Sequence, residues 1–140
     1  MSKPELCYLD ASALVKLVRR EPETGALVAA LGPDSKLVSS EIAEVEMLRA
    51  LRRRAGDEAA RLGQTKLENV RLLPLDSHIR RRACELEPVE LRSLDAVHLA
   101  TALHLGGLLK CVYAYDKRLI ESARNVGLPV AVPGEDDQVR

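Results

Sequence analysis

Asp10, Asp95, Asp116 and the glutamates of segment 41–46 are the residues of this chain best placed to do chemistry together. Asp10 closes the apolar run Leu6-Cys7-Tyr8-Leu9, and Asp116 directly follows the run Cys111 to Tyr115. If both runs are strands of a parallel sheet, both carboxylates reach the edge where such sheets build their sites. Each also suits a helix cap, the ordinary role of Asp after a strand. Asp95 shares a helical stripe with Leu99, Ala102 and Leu103. A carboxylate buried there without a partner costs several kcal/mol, so a compensating group is required. The first-turn position after Ser93 explains an exposed acid through the helix macrodipole, but not a core-facing one. Glu41, Glu44 and Glu46 share one long helix, whose apolar stripe is Ala43, Met47, Ala50 and Leu51. Glu44 and Glu46 lie on opposite borders of that stripe, and helical phase does not choose between them. Glu46 three residues before Arg49 is also an ordinary surface pair.

Converging carboxylates cannot all ionise unless a cation neutralises them. Hard oxygen ligands suit Mg²⁺ or Mn²⁺. One or two such ions activate a water and stabilise the leaving oxygen of a phosphodiester. The chain holds no phosphate-cradling Gly-rich loop, no Gly-x-Ser-x-Gly and no His-rich zinc spacing. His98 and His104, set among Leu and Ala, read as packing residues, and His78 as a loop or cap residue.

The elements that must position these acids alternate. A buried strand at 6–9 precedes helices at 11–20 and 23–31, then a minimal strand at 37–38. Ser39 or Ser40 caps a helix to about Arg54, Gly56 breaks it, and Asp57 caps another to about Glu68. A strand at 70–75 leads into a helix from Asp76 to about Glu87, and Ser93 caps a helix from Leu94 to Leu105 that Gly106-Gly107 ends. The strand at 111–115, a helix at 117–126 and an edge strand at 129–132 complete the pattern. Such alternation predicts an α/β sandwich on a mostly parallel sheet. A single domain over residues 1–134 is expected, with a disordered acidic tail at 135–140.

Composition narrows the function classes. Lys and Arg number 21, as do Asp and Glu, so the formal net charge is zero and there is no global basic signal for nucleic acid. Aromatics are three Tyr with no Phe or Trp, which excludes base-stacking rows for single strands. Cys7, Cys84 and Cys111 are an odd, widely spaced set, which points to a reducing, cytoplasmic setting. No signal peptide is expected at Met1 to Glu5, and no stretch is apolar enough to span a bilayer.

Four segments carry a resemblance. Tyr8-Leu9-Asp10-Ala11-Ser12-Ala13-Leu14-Val15-Lys16-Leu17 is similar to the opening motif of PIN-domain nucleases. The stretch from Val38-Ser39-Ser40 to Leu48-Arg49-Ala50 resembles their second motif, where the glutamate ahead of Leu-Arg-Ala is catalytic, and so selects Glu46. Leu94-Asp95-Ala96-Val97-His98-Leu99-Ala100-Thr101-Ala102 resembles the third, and Tyr115-Asp116-Lys117-Arg118-Leu119 the fourth. Many relatives carry Thr or Ser two residues before the fourth acid, where this chain has Ala114. Length and wording resemble the VapC branch, the toxins of type II toxin–antitoxin pairs.

The resemblance implies a three-layer α/β/α fold and a Mg²⁺-dependent endoribonuclease, with Mn²⁺ as a possible substitute. It further implies a dimer blocked by a VapB-type antitoxin, acting on transfer or ribosomal RNA. Asp10 and Asp95 would be the principal metal ligands, with Glu46 and Asp116 completing the pocket. Ser12 and Ser93 would orient carboxylates or water from behind. Lys16, Arg49 and Arg53 are the candidate RNA-contacting cations, while Arg80, Arg81 and Arg82 read as a solvated face. A structure-specific DNA nuclease with the same acids, and a non-catalytic RNA- or protein-binding PIN module, are the alternatives.

Overall fold

The apolar run at the N-terminus becomes the central strand, β1 (Leu6–Leu9), because it has no polar face to give to solvent. Cys7 and Leu9 point into one core with Leu14, Leu27, Met47 and Leu51, whereas Tyr8 points into a second core with Leu99, Val112 and Leu119. The two cores lie on opposite faces of one sheet, which gives three layers. A computed structural model describes residues 3–135 of the chain. Its elements follow in order: α1 (Ala11–Val18), α2 (Thr24–Leu31), β2 (Lys36–Ser40), α3 (Glu41–Leu67), β3 (Val70–Leu73), α4 (Ser77–Glu85), α5 (Ser93–His104), a 3₁₀ turn (Gly106–Leu108), β4 (Leu109–Tyr113), α6 (Lys117–Asn125) and β5 (Val130–Ala131). Residues 136–140 of the expected tail lie outside the described residues. Glu135 closes a turn, its N–H donating to the Val132 carbonyl at 2.9 Å. Among the described residues no helix is long and apolar enough to cross a membrane.

All five strands run parallel in the order β3-β2-β1-β4-β5. The chain leaves β1 toward one side for β2 and β3, then returns to the other side for β4 and β5. The β1/β4 boundary is therefore the point where strand order reverses, and the crevice beyond it is where such sheets place ligands. Asp10 lies immediately past β1, and its N–H donates to the Tyr113 carbonyl at the end of β4 (3.2 Å).

Two boundaries move the site acids relative to the sequence reading. β4 starts at Leu109 rather than Cys111, because Lys110 interrupts the apolar run but sits at a register irregularity with its side chain exposed. It ends at Tyr113, the partner of Leu9, because β1 offers no further residue to pair with. Asp116 is thus separated from the strand by Ala114 and Tyr115 rather than joined to it. At α5 the N-cap position belongs to Arg92, not Ser93, and no side chain caps that helix. β3 stops at Leu73 and α4 at Glu85, both two residues short of expectation.

The Gly56 break is confirmed as a sharp turn inside α3, with φ 88° and ψ −177°. This backbone region is essentially reserved for glycine. The chain then folds back: a Cβ on Gly63 would come within 2.6 Å of Leu51 Cδ1, so the returning arm packs on the first through a residue with no side chain. Gln64 on that arm reaches Glu44 at 3.5 Å. One border of α3 is thereby covered and the other, bearing Glu46, is left facing α5. Because nothing lies within 4 Å of a Cβ built on Gly56, Gly56→Ala tests the backbone alone. It should destabilise the fold by about 1–3 kcal/mol in urea titration; an unchanged midpoint would mean the hairpin does not need this conformation.

Candidate active site

Asp10 and Asp116 are helix caps, as the ordinary reading holds, and capping does not exhaust either. Asp10 Oδ1 accepts both from the Ala13 N–H at 3.0 Å and from the Ser12 hydroxyl at 2.6 Å. Both bonds fall on Oδ1, which leaves Oδ2 uncommitted. Ser12 Oγ in turn accepts the Tyr115 N–H at 2.9 Å. One hydroxyl therefore ties the acid after β1 to the connection between β4 and Asp116. Ala114, where many relatives carry a hydroxyl, is fully buried in the second core. Asp116 Oδ1 caps α6 through Arg118 and Leu119, and its other oxygen, Oδ2, faces Arg92.

The expectation that a core-facing Asp95 needs a partner is met from outside its stripe. Its side chain is 11% exposed, and its Oδ2 receives Arg92 Nε at 3.4 Å. Arg92 Nη2 stands 3.7 Å from Asp116 Oδ2, so one guanidinium spans two of the acids. Ser93 is exposed at the first position of α5 and takes no part in these hydrogen bonds.

Glu46 is held by a residue that the packing assignment missed. His98 Nε2 lies 2.6 Å from Glu46 Oε1, and His98 Nδ1 lies 2.6 Å from the Tyr8 hydroxyl. A carboxylate only accepts, so Nε2 carries the hydrogen, and in the neutral imidazole Nδ1 then accepts from Tyr8. Burial first, and then the Asp10 carboxylate, push the Tyr8 phenol well up, which keeps it a donor. His98 is 3% exposed. It is therefore no inert core residue but a polar strut running from the central strand to Glu46. The signal was legible: His98 stands three residues after Asp95 on the same face of α5, and Arg92 three residues before it. His78, expected in a loop or cap, lies in α4 with its ring 5.2 Å from that of His104, away from these acids.

Asp10 is buried at the end of the central strand. Burial pushes its pKa up to about 6, against the lowering pull of His98, Ser12 and the Ala13 N–H, while Glu46 adds to the rise. A cleft of about 630 Å³ joins the pieces: Ser12, Glu46 and Asp116 line it together with Arg49, Arg53 and Arg54. Glu41 and Glu44 point elsewhere, to the Leu75 N–H and to Gln64. Lys16 drops out as an outward cation. Its ammonium is shared between Glu21 at 3.0 Å and Glu23 at 2.7 Å and lies over the Tyr115 ring, with the side chain 11% exposed. α1 starts at the site, so Arg19 and Arg20 fall roughly 13 Å further along it, at 1.5 Å per residue.

Two of the four acids, Glu46 and Asp116, line the cleft themselves; Asp10 adjoins it through Ser12, and Asp95 through the arginine it shares with Asp116. Among the described residues no three His, Cys, Asp or Glu side chains form a ready-made metal cage. The donor set nevertheless fits a hard divalent ion. Mg²⁺ is commonly held by one or two carboxylates with its remaining positions filled by water and substrate phosphate. The arginine already drawn between Asp95 and Asp116 marks where positive charge is wanted.

Residues 7–125 match the PIN domain family. Ribonuclease VapC46 of Mycobacterium tuberculosis (strain ATCC 25618 / H37Rv) is 43% identical over 126 residues, covering 90% of this chain and 96% of the relative. Ribonuclease VapC47 of Mycobacterium tuberculosis (strain CDC 1551 / Oshkosh) is 35% identical over 133 residues, covering 92% and 98%. In fold, the chain superposes on the crystal structure of Mycobacterium tuberculosis VapC20, a Sarcin-Ricin loop cleaving toxin, with a TM-score of 0.71 at 20% identity over 91% of this chain and 99% of the other. VapBC-1 from nontypeable Haemophilus influenzae gives a TM-score of 0.63 at 16% identity, over 90% and 96%.

Proposed function

Because the chain belongs to the PIN-domain family and, within it, to the VapC ribonucleases, we propose that its cleft is the active site of a Mg²⁺-dependent endoribonuclease, the toxin of a VapBC pair. The observation that carries this reading is the single cleft on which Ser12, Glu46 and Asp116 open, with arginines along its rim. Asp10 and Asp95 are the principal ligands in this reading, and Glu46 and Asp116 complete the pocket. A divalent cation held there, Mg²⁺ or in its place Mn²⁺, would neutralise the phosphate and acidify an attacking water. The protein supplies the rest. Ser12 fixes Asp10 and, through Tyr115, the approach to Asp116. His98 fixes Glu46. Water attacks phosphorus in line, the bond to the 3′-oxygen breaks, and 5′-phosphate and 3′-hydroxyl ends remain.

Arg49 and Arg53 are exposed on the cleft wall, three and seven residues beyond Glu46, where the phosphates of a bound strand would pass. Contact with RNA then depends on phosphate charge and shape, in keeping with the scarcity of aromatics. Blockade by a VapB-type antitoxin, a homodimeric state and a cytoplasmic setting belong to the same reading. Transfer or ribosomal RNA is its substrate class.

The test is cleavage of total RNA with and without Mg²⁺, with the new ends mapped and a DNA flap as competitor substrate. Metal-dependent RNA cleavage with 5′-phosphate ends is expected; flap cleavage in its place would make this a DNA nuclease. Neutralising Arg49 and Arg53 together should weaken RNA binding and reduce the slope of log affinity against log salt by up to about two contacts' worth. An unchanged slope would remove both from the binding surface.

A further inference from the structure

Arg92 lies outside the acidic set, yet it touches half of it. It occupies the N-cap position of α5 with extended backbone (φ −67°, ψ 146°), so its side chain is free of any capping duty. About half exposed, it extends across the mouth of the site, Nε toward Asp95 and Nη2 toward Asp116. Leu94 and Asp116 both line the cleft, which places the guanidinium at its edge.

The contacts are loose. Tight fork-to-carboxylate pairs have N···O separations of about 2.7–2.9 Å, whereas these are 3.4 and 3.7 Å. A guanidinium this exposed and this weakly held neutralises the two acids without locking them. A dication that coordinates the same oxygens directly carries twice the charge and displaces it. Once displaced, the side chain still stands beside the cleft with its charge uncompensated.

We propose that Arg92 is an internal counter-cation: it holds the space between Asp95 and Asp116 until the metal arrives, then transfers its charge to the RNA phosphate. The inference rests on the metal-dependent nuclease reading above. It makes two demands that an ordinary surface ion pair does not. Removing Arg92 must tighten metal binding, because a competitor is lost. It must also slow cleavage at saturating metal, because a phosphate-binding cation is lost. Lysine, a point charge without the planar fork, can serve one acid at a time and should fall between.

The experiment titrates Mn²⁺ alone into the full chain by calorimetry for wild type, Arg92→Gln and Arg92→Lys, then measures single-stranded RNA cleavage with each protein saturated. Arg92→Gln should bind Mn²⁺ about twofold to fivefold tighter, the size expected for losing a partly exposed ion pair, and cleave about tenfold more slowly. Mn²⁺ affinity that is unchanged or weaker in Arg92→Gln overturns the proposal. So does tighter binding with undiminished cleavage, since the charge would then not pass to RNA. If wild type itself binds no Mn²⁺ while Asp95→Asn leaves RNA cleavage intact, the metal centre fails and the counter-cation fails with it.

Discussion

Asp10→Asn should yield a protein that no longer cleaves RNA and is more stable than wild type at neutral pH in the absence of metal. The loss follows from removing a charged ligand at a centre where charge stabilisation is worth several kcal/mol, or roughly 10²–10⁴-fold in rate. The gain follows from burial. Asp10 is 4% exposed, and its pKa in the fold is raised from 3.8 to about 6. A raised carboxylate pKa means the folded state binds the proton more tightly than the unfolded state. The associated stability is fully present below about pH 4 and is lost as pH rises to about 6. The shift corresponds to roughly 3 kcal/mol that ionised Asp10 costs the metal-free fold at pH 7. Asparagine keeps Oδ1 for the Ser12 hydroxyl and the Ala13 N–H, so the cap survives, and it carries no charge to bury. Urea titrations at pH 4, 5, 6 and 7 should show wild-type stability falling through this range relative to Asp10→Asn. Parallel curves would mean Asp10 is not strained by ionisation. Wild-type cleavage by Asp10→Asn would remove it from the metal site.

A residue whose ionised form destabilises its own fold points to function, yet that strain is not legible in the sequence. What was legible was position. An apolar run with no polar alternation had to be a doubly buried strand, and an acid at its end had to sit at the sheet edge. Apolar patterning therefore carried β1, the layers and the acids after them. The third element of the site, Glu46, was open on helical phase alone. The choice depends on the hairpin at Gly56, which covers the Glu44 border of α3. Long-range packing of that kind leaves no mark on local periodicity.

The same limit explains the errors. Lys16 follows Asp10 and so falls among the cations in sequence, but its partners Glu21 and Glu23 come from the turn after α1, which sequence order alone does not fold back. Ser93 has the residue type of a cap, whereas the extended residue ahead of α5 is Arg92. The neighbours of His98 along the helix suggest packing. What decides its role is Tyr8, ninety residues earlier, and Glu46, fifty-two residues earlier.

His98→Leu should therefore lower RNA cleavage by about 10–100-fold, the usual penalty for losing the group that orients a metal-site carboxylate. It should also cost stability, because the buried Tyr8 hydroxyl would lose its His98 partner and keep only the hydroxyls of Ser39 and Thr101 beside it, a loss of about 1–3 kcal/mol. The two effects separate in a double-mutant cycle. Tyr8→Phe leaves Glu46 bonded to His98 and should affect cleavage far less than stability. In Tyr8→Phe/His98→Leu both buried polar partners are gone, and replacing both with apolar groups is nearly neutral. The pair should accordingly couple by about 0.5–3 kcal/mol, with the double variant regaining stability that His98→Leu lost. Cleavage should stay down, because nothing then holds Glu46 toward the cleft. If cleavage instead returns in step with stability, His98 serves the core alone and Glu46 needs no strut. If His98→Gln, which can still offer an N–H to Glu46, restores cleavage above that of His98→Leu, the hydrogen bond itself is what positions the carboxylate.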